Sequence, residues 1–538
     1  MSSAELATCE MKGGVGEKGL DAAQGLEKLG YQQELTRRRG LFHILFMTLA
    51  IMAVPFGLAA PIATSLIGGG PATMVWGWVL ISILTQPLAM SLAEICSKYP
   101  TSAGAYYWCF RLASPKRRLL FSWINGWLTM VGVWTISLSV TFGTGQLLIA
   151  GIGIFRPEWV ATPWQTYLIF LGITAIACGI GIFGNDYLPM IDILSACWTF
   201  LGIIVILICL SAKAAVGRHS AAFALGHFDP SASGWSPGWA FFIGLLPPAY
   251  TYSAIGMIAS MAEEVHDPSV QVPAAIAWSI PIGFICGLFF LLPIVFTLPD
   301  IATLLAVPGG QPIGVMFEMI MGSKGGGFGI WFIIFGIGIF CAISISCAAS
   351  RATWSFARDR AIPFHSVFAK VNRSLGDVPL NAYILSTMIQ VLLGLIFLGS
   401  SAAFNAFVGV AVICLGASYA MPVAISLANG RENMVGAPFS LGRWGWAINA
   451  WAVVWVLFEI VLFSMPAVIP VTQVTMNYAS VVFVGFAAIS AIWYLINGRH
   501  YYEGPPIPHD ASTNNSSERQ SYQHSPEDST VVPENKKD

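Results

Sequence analysis

The feature that most constrains this chain is a long middle stretch almost emptied of charge and broken into apolar runs. Of the 53 charged residues among 538, only 30 fall between residues 41 and 497, about 7% of those positions. The other 23 lie in the two end segments, 1–40 and 498–538. A bilayer core about 30 Å thick needs about 20 mainly apolar residues per helix. Runs that meet this length lie near 43–66, 72–95, 119–150, 165–183, 189–212, 238–260, 274–298, 328–350, 380–399, 403–428, 447–466 and 477–497. Backbone in hydrocarbon must satisfy its own hydrogen bonds, and no strand-like alternation is present, so these twelve runs are expected to be helices. The expected fold is an all-α polytopic membrane protein with the lipid bilayer as its solvent. Segment 1–40 is expected as one tail, 41–497 as the membrane domain and 498–538 as a disordered second tail, rich in Ser, Pro and Asn.

Composition narrows the function classes. A net charge of −1 offers no basic field for nucleic acid. The ten cysteines show neither CxxC nor Cys/His spacing, so no metal site or disulfide framework is expected, and no cofactor. No His-centred catalytic set sits at one depth, which argues against an enzyme. No repeated filter loop or ring of charge argues for a channel. A carrier remains.

Sidedness follows from basic residues in short loops. Arg37, Arg38 and Arg39 precede the first run, Lys98, Arg111 and Lys116 to Arg118 follow the second, Arg351, Arg358, Arg360, Lys370 and Arg373 follow the eighth, and Arg431 and Arg443 follow the tenth. The opposite loops supply only Arg156, Lys213, Arg218 and Lys324. Both termini are therefore expected in the cytoplasm, and the sequons at Asn372, Asn514 and Asn515 are expected to stay unglycosylated. The plasma membrane is the expected residence, ahead of the vacuole.

Charges within the runs are few, and each is costly in hydrocarbon. Glu94, Asp192 and Lys213 lie close to the ends, where a cap or snorkelling explains them. Glu459 lies deeper and reads equally as a proton site or as a partnered structural carboxylate. Two runs are interrupted. The first reads AVPFGLAAPIATSLIGGGP, with Pro55, Gly57 and Pro61; the sixth reads GLLPPAYTYSAIGMIASMAEE, with Pro247, Pro248 and Gly256. Proline removes a backbone donor and glycine loosens the helix, so both can unwind near the midplane and free backbone groups for a ligand. Five runs separate the breaks, as an inverted five-plus-five repeat followed by two further helices requires.

Three ordered segments carry a family resemblance. AEICSKYPTSAGAYYW (93–108), MAEEVHDPSVQVPAAI (261–276) and SRATWSFARDRAIPF (350–364), the last followed by VPLNA (378–382), resemble motifs of the amino acid–polyamine–organocation superfamily. Within it the chain resembles the fungal amino acid/choline transporter group that includes GABA permeases. The resemblance implies a permease for a small amino acid or amine such as GABA, working by alternating access with a co-transported proton. A choline or polyamine carrier, a secondary-metabolite transporter and a non-transporting nutrient sensor are the alternatives. The resemblance also implies a substrate site lined by Gly57, Leu58, Ala59 and Ala60 from the first helix and Tyr252, Ser253, Ala254 and Ile255 from the sixth, with Tyr252 as an aromatic lid. Two departures stand out. Leu58, Ala59 and Ala60 add bulk where family members often carry glycines, and the fifth helix has Cys197, Trp198 and Thr199 where some members place a lysine. Glu263, Glu264 and Asp267 form an acidic patch that can pair with the Arg351–Arg360 cluster as an inner gate, with Glu263, Glu264, Arg351 and Arg358 as its expected members.

Overall fold

The computed structural model describes residues 22–399, 403–472 and 475–507. Sequons Asn514 and Asn515 lie outside the described residues, as do most of the break expected at Gly399–Ser401 and most of the second tail. Among the described residues twelve helices are long and apolar enough to cross a membrane. They are span 1 (Leu41–Ala59), span 2 (Pro71–Lys98), span 3 (Arg118–Phe155), span 4 (Pro163–Phe183), span 5 (Asn185–Lys213), span 6 (Pro237–Glu264), span 7 (Pro268–Phe296), span 8 (Lys324–Arg358), span 9 (Leu380–Leu398), span 10 (Ala406–Ala428), span 11 (Gly442–Leu462) and span 12 (Ala479–Ile496). The expected runs match these one for one.

Local chemistry sets where the spans begin. Pro71, Pro163, Pro237 and Pro268 each open a span, where the missing N–H would have had no intrahelical partner. Span 4 is further fixed by a capping box, with the Thr162 N–H donating to Gln165 Oε1 at 2.9 Å. Burial then sorts centre from rim. In span 6, 83% of the apolar window is buried, against 11% in span 12, so span 6 runs through the middle and span 12 is mostly left for lipid.

Both interrupted helices break where proline demands it. Span 1 is helical over Leu41–Met52, turns through Ala53 in the left-handed region (φ 42°), resumes over Val54–Ala59, loosens at Pro61 and continues over Ile62–Ile67. A non-glycine residue at positive φ is unfavourable by about 1–2 kcal/mol, so packing must hold it there. Pro55 lacks the N–H that would reach the Ile51 carbonyl, and Cys341 Sγ of span 8 approaches that oxygen instead at 3.2 Å. Span 6 is helical over Pro237–Ile243 and Leu246–Tyr252, turns, and ends as a tighter 3₁₀ stretch over Met257–Glu264. Pro248 cannot donate to Gly244, whose carbonyl takes the Ser65 hydroxyl of the broken first helix at 2.7 Å.

The flanking segments are packed where they are described. Residues 22–40 cross the arginine-rich end of the bundle as a strap, with Leu26, Tyr31 and Leu35 buried. The strap closes as a short parallel bridge: the Arg39 N–H donates to the Glu264 carbonyl at 3.0 Å and His266 N–H to that of Arg39 at 3.0 Å. Tyr502, past span 12, is buried and shares a 2.9 Å hydrogen bond with Ser122 of span 3. Polar composition hides such packing, because the strap is held by long-range backbone and side-chain hydrogen bonds and three scattered buried side chains rather than by a continuous apolar face.

Candidate substrate site and gate

The two breaks meet at the centre of the bundle, and glycine permits it. A methyl group at Gly57 would lie 2.5 Å from Thr251 Oγ1, and one at Gly68 would lie 2.4 Å from the Gly244 Cα. Leu58, Ala59, Ala60, Ala254 and Ile255 are buried around this contact, and Ser253 is half-buried with its hydroxyl donating to the Tyr250 carbonyl at 2.8 Å. Tyr252 is 1% exposed; its ring stacks on Trp78 with centroids 4.7 Å apart, and its hydroxyl shares a 2.9 Å bond with Ser82. Tyr250 is tied in the same way to Ser139 of span 3 at 2.8 Å. One ring face of Tyr252 is thus occupied, and the residue is anchored to span 2.

Above the breaks, away from the arginine-rich end, lies a cavity of about 520 Å³. Ala60, Pro61 and Thr64 of the first broken helix, Gln146 of span 3, Leu246 of span 6, Gln311 of the segment after span 7 and Asn477 before span 12 are among its walls. Among the described residues, no Asp, Glu, Lys or Arg lines it. Gln311 is held there by its amide, whose Nε2 donates to the Ala60 carbonyl at 2.9 Å and to Gln146 Oε1 at 3.2 Å.

Below the breaks lies a hollow of about 20 Å³, between Ala103, Tyr106, Gly256, Ser260 and Tyr419 among others. Beneath it the bundle is sealed by charge. Arg358 grips Glu263 with two bonds of 2.9 Å, and Arg351 Nε donates to Glu264 Oε1 at 2.8 Å. Arg39 of the strap spans Asp192 at 2.5 Å and Glu264 at 3.4 Å. All four expected gate residues are therefore side by side, while Asp267 instead accepts the Ser269 hydroxyl at 2.9 Å. Sequence reasoning missed Arg39, which had read only as part of a sidedness signal, and Asp359. The Asp359 carboxylate accepts the Tyr31 hydroxyl at 2.7 Å and the Tyr106 hydroxyl at 2.8 Å. Burial pushes its pKa up to about 6, against the opposing pull of Arg358.

The other intramembrane acids divide. Glu94 holds Arg431 in two bonds of 2.6 and 2.7 Å and accepts the Leu441 N–H at 2.8 Å, a structural clamp. Asp192 serves the strap. Glu459 is 7% exposed in mid-span 11, and its carboxylate has no hydrogen-bond or ion-pair partner among the described residues; it faces Gly416 of span 10. One turn along, Tyr419 of span 10 abuts Gly256 at the sixth-helix break.

A family model described as amino acid permease matches residues 40–487. The chain belongs to the amino acid permease family. Among its relatives, Amino-acid permease BAT1 of Arabidopsis thaliana is 34% identical over 89% of this chain and 95% of its own length. Two Saccharomyces cerevisiae proteins, named as a choline transporter and as polyamine transporter TPO5, are 29% and 31% identical over 90% of this chain, and over 84% and 80% of their own lengths. This permease is accordingly a twelve-span secondary transporter, not an enzyme, of a family that carries amino acids and amines.

Proposed function

We propose that this permease carries a small zwitterionic amino acid, with GABA-like molecules first and choline or another amine next, by alternating access around the two broken helices. The observation that carries the reading is the asymmetry about the breaks: 520 Å³ of uncharged cavity on one side, and 20 Å³ above an ion-paired seal on the other. A wall without formal charge suits a solute whose charges cancel, because partial dipoles of freed backbone can meet each end. It suits a polyamine less, since several positive charges would enter with no counter-charge. Ala60 lines this cavity, and Gly57 to Ala59 with Tyr252 to Ile255 lie at the meeting of the breaks beneath it, the place assigned here to the solute; Glu263, Glu264, Arg351 and Arg358 are assigned as the inner gate.

The arginine-rich end faces the cytoplasm in this reading, by the excess of basic loop residues, and the cavity faces outward across the plasma membrane. Coupling to a proton is assigned to Glu459, an acid buried mid-span whose carboxylate has no partner among the described residues. The experiment is counterflow in proteoliposomes against alanine, GABA, choline and putrescine, for the wild type and Glu459→Gln. The expected result is counterflow of a zwitterion by both proteins, with accumulation driven by a pH gradient lost at least tenfold in Glu459→Gln. No exchange of any panel member would refute the carrier reading; gradient-driven accumulation that survives in the variant would refute Glu459.

A further inference from the structure

We infer that the groove between spans 3 and 12, at the arginine-rich end of the bundle, is a binding site for an anionic glycerophospholipid of the leaflet at that end. The inference goes beyond the carrier reading and does not depend on it. The groove encloses about 420 Å³, with Trp123, Trp127 and Val131 of span 3 among its walls on one side and Phe486, Ser490 and Tyr494 of span 12 on the other. Among the described residues, no charged side chain lines it. Lipid of some kind fills any apolar groove that opens on a bilayer; three observations say which kind belongs in this one.

The first is an unused donor. Trp123 Nε1 donates to the Ser490 hydroxyl at 3.1 Å. Trp127 Nε1 has no partner among the described residues, although Trp127 is only 8% exposed. An indole N–H can only donate, and a buried donor without an acceptor is unfavourable. The ester carbonyl of a glycerolipid can only accept. The second observation is depth. A methyl group at Gly498 would lie 2.8 Å from the Trp123 ring, so the chain after span 12 crosses span 3 at that level, and Arg499 is the next residue. Trp127 lies one turn deeper, about 6 Å along the helix axis. A glycerol backbone sets a similar offset between the phosphate of a phospholipid and its ester carbonyls. Past Trp127 the groove continues to Val131 and Phe483, which leaves an apolar path for an acyl chain. The third observation is charge. Lys116, Arg117 and Arg499 are exposed beside the groove's mouth and make no ion pair among the described residues. Glu503 is the one acid in the adjoining stretches 114–121 and 494–503. Cations at this level attract anionic headgroups. Phosphatidylcholine has no net charge to offer them, and a sterol has neither the charge nor the ester.

The test reconstitutes the full chain in phosphatidylcholine vesicles that contain a trace of either phosphatidylserine or phosphatidylcholine with a diazirine on one acyl chain. Photolabel is then mapped by peptide mass spectrometry. In the wild type, label on residues 119–131 and 483–495 is expected to be about tenfold higher from phosphatidylserine than from phosphatidylcholine. Label on the lipid-facing side of span 5 should not distinguish the two. The triple variant Lys116→Gln, Arg117→Gln and Arg499→Gln should abolish the preference at the groove. Trp127→Phe keeps an aromatic ring and removes the donor, so label there should fall severalfold from both lipids while the preference between them stays. Equal labelling of the wild-type groove by the two lipids would overturn the inference, as would a preference that persists in the triple variant. Label unchanged in Trp127→Phe would overturn it too. Displacement of the label by cholesterol but not by unlabelled phosphatidylserine would give the groove to a sterol and contradict the inference in the same way.

Discussion

At the scale of single residues, the molecule spends its few buried charges on closing one end. Arg351 and Glu264 are both deeply buried, and Arg39 leans on the same carboxylate. Removing one partner of such a pair strands the other and is unfavourable by about 3–5 kcal/mol. Glu264→Gln, which leaves two guanidinium groups without their shared anion, should reduce uptake at least tenfold while the protein still reaches the membrane; uptake equal to wild type would show that the seal does not govern transport. Asp359 gives the seal a pH dependence. Its carboxyl is held at about 6 against an ordinary 3.8, and it is faced by Tyr31 of the strap, Tyr106, Tyr502, Glu263 and the Arg358 guanidinium. The closed form therefore binds a proton more tightly than an opened, hydrated form. Its advantage is present at low pH and is lost as pH rises from about 4 through about 6. Exchange measured with both sides at equal pH should rise between about pH 4 and 6 in the wild type and run flat in Asp359→Asn. A variant that keeps the wild-type slope would remove Asp359 from the account.

At the scale of elements, the two broken helices act as one unit because small residues let them touch. Gly57→Ala would place a methyl 2.5 Å from Thr251 Oγ1 and 3.1 Å from Thr251 Cβ, which forces the half-helices apart. Overpacking of this kind is unfavourable by about 1–3 kcal/mol. Uptake by Gly57→Ala should fall severalfold and be partly restored by adding Thr251→Ala, which removes the closer of those two clashes; a double mutant no better than the single would place the damage elsewhere. Much of this level was legible in the sequence. Prolines 55, 61, 247 and 248 announce the breaks because a missing N–H has the same consequence in any helix. The partners of the freed carbonyls were not legible. Ser65, Cys341 and Gln311 come from distant positions, and nothing in a hydroxyl, thiol or amide in the sequence says which oxygen it will meet. Tyr252 illustrates the same limit: its place beside the break follows from its position in span 6, but its stacking on Trp78 depends on how spans 2 and 6 cross.

At the scale of the whole molecule, the twelve-span membrane domain was written in run lengths and the arginine-rich end in loop composition. What neither could convey is that residues 22–40 belong to the closed end. The strap has little apolar periodicity; Tyr31, Arg37 and Arg39 hold it through side chains and backbone that reach Asp359, Val265, Asp192 and Glu264. In the proposed cycle the side that holds the large cavity and the side that holds the ion-paired end exchange roles. Cysteine accessibility tests that claim most directly. Ala63→Cys lines the large cavity and Ala103→Cys the small hollow, on a background with reactive native thiols replaced. An impermeant thiol reagent applied to each side in turn should modify Ala63→Cys from the cavity side and leave Ala103→Cys protected. A transported solute should then slow the first reaction and speed the second, from the opposite side. If both positions react at once without solute, or if neither rate responds to any solute the protein exchanges, alternating access around the broken helices is contradicted.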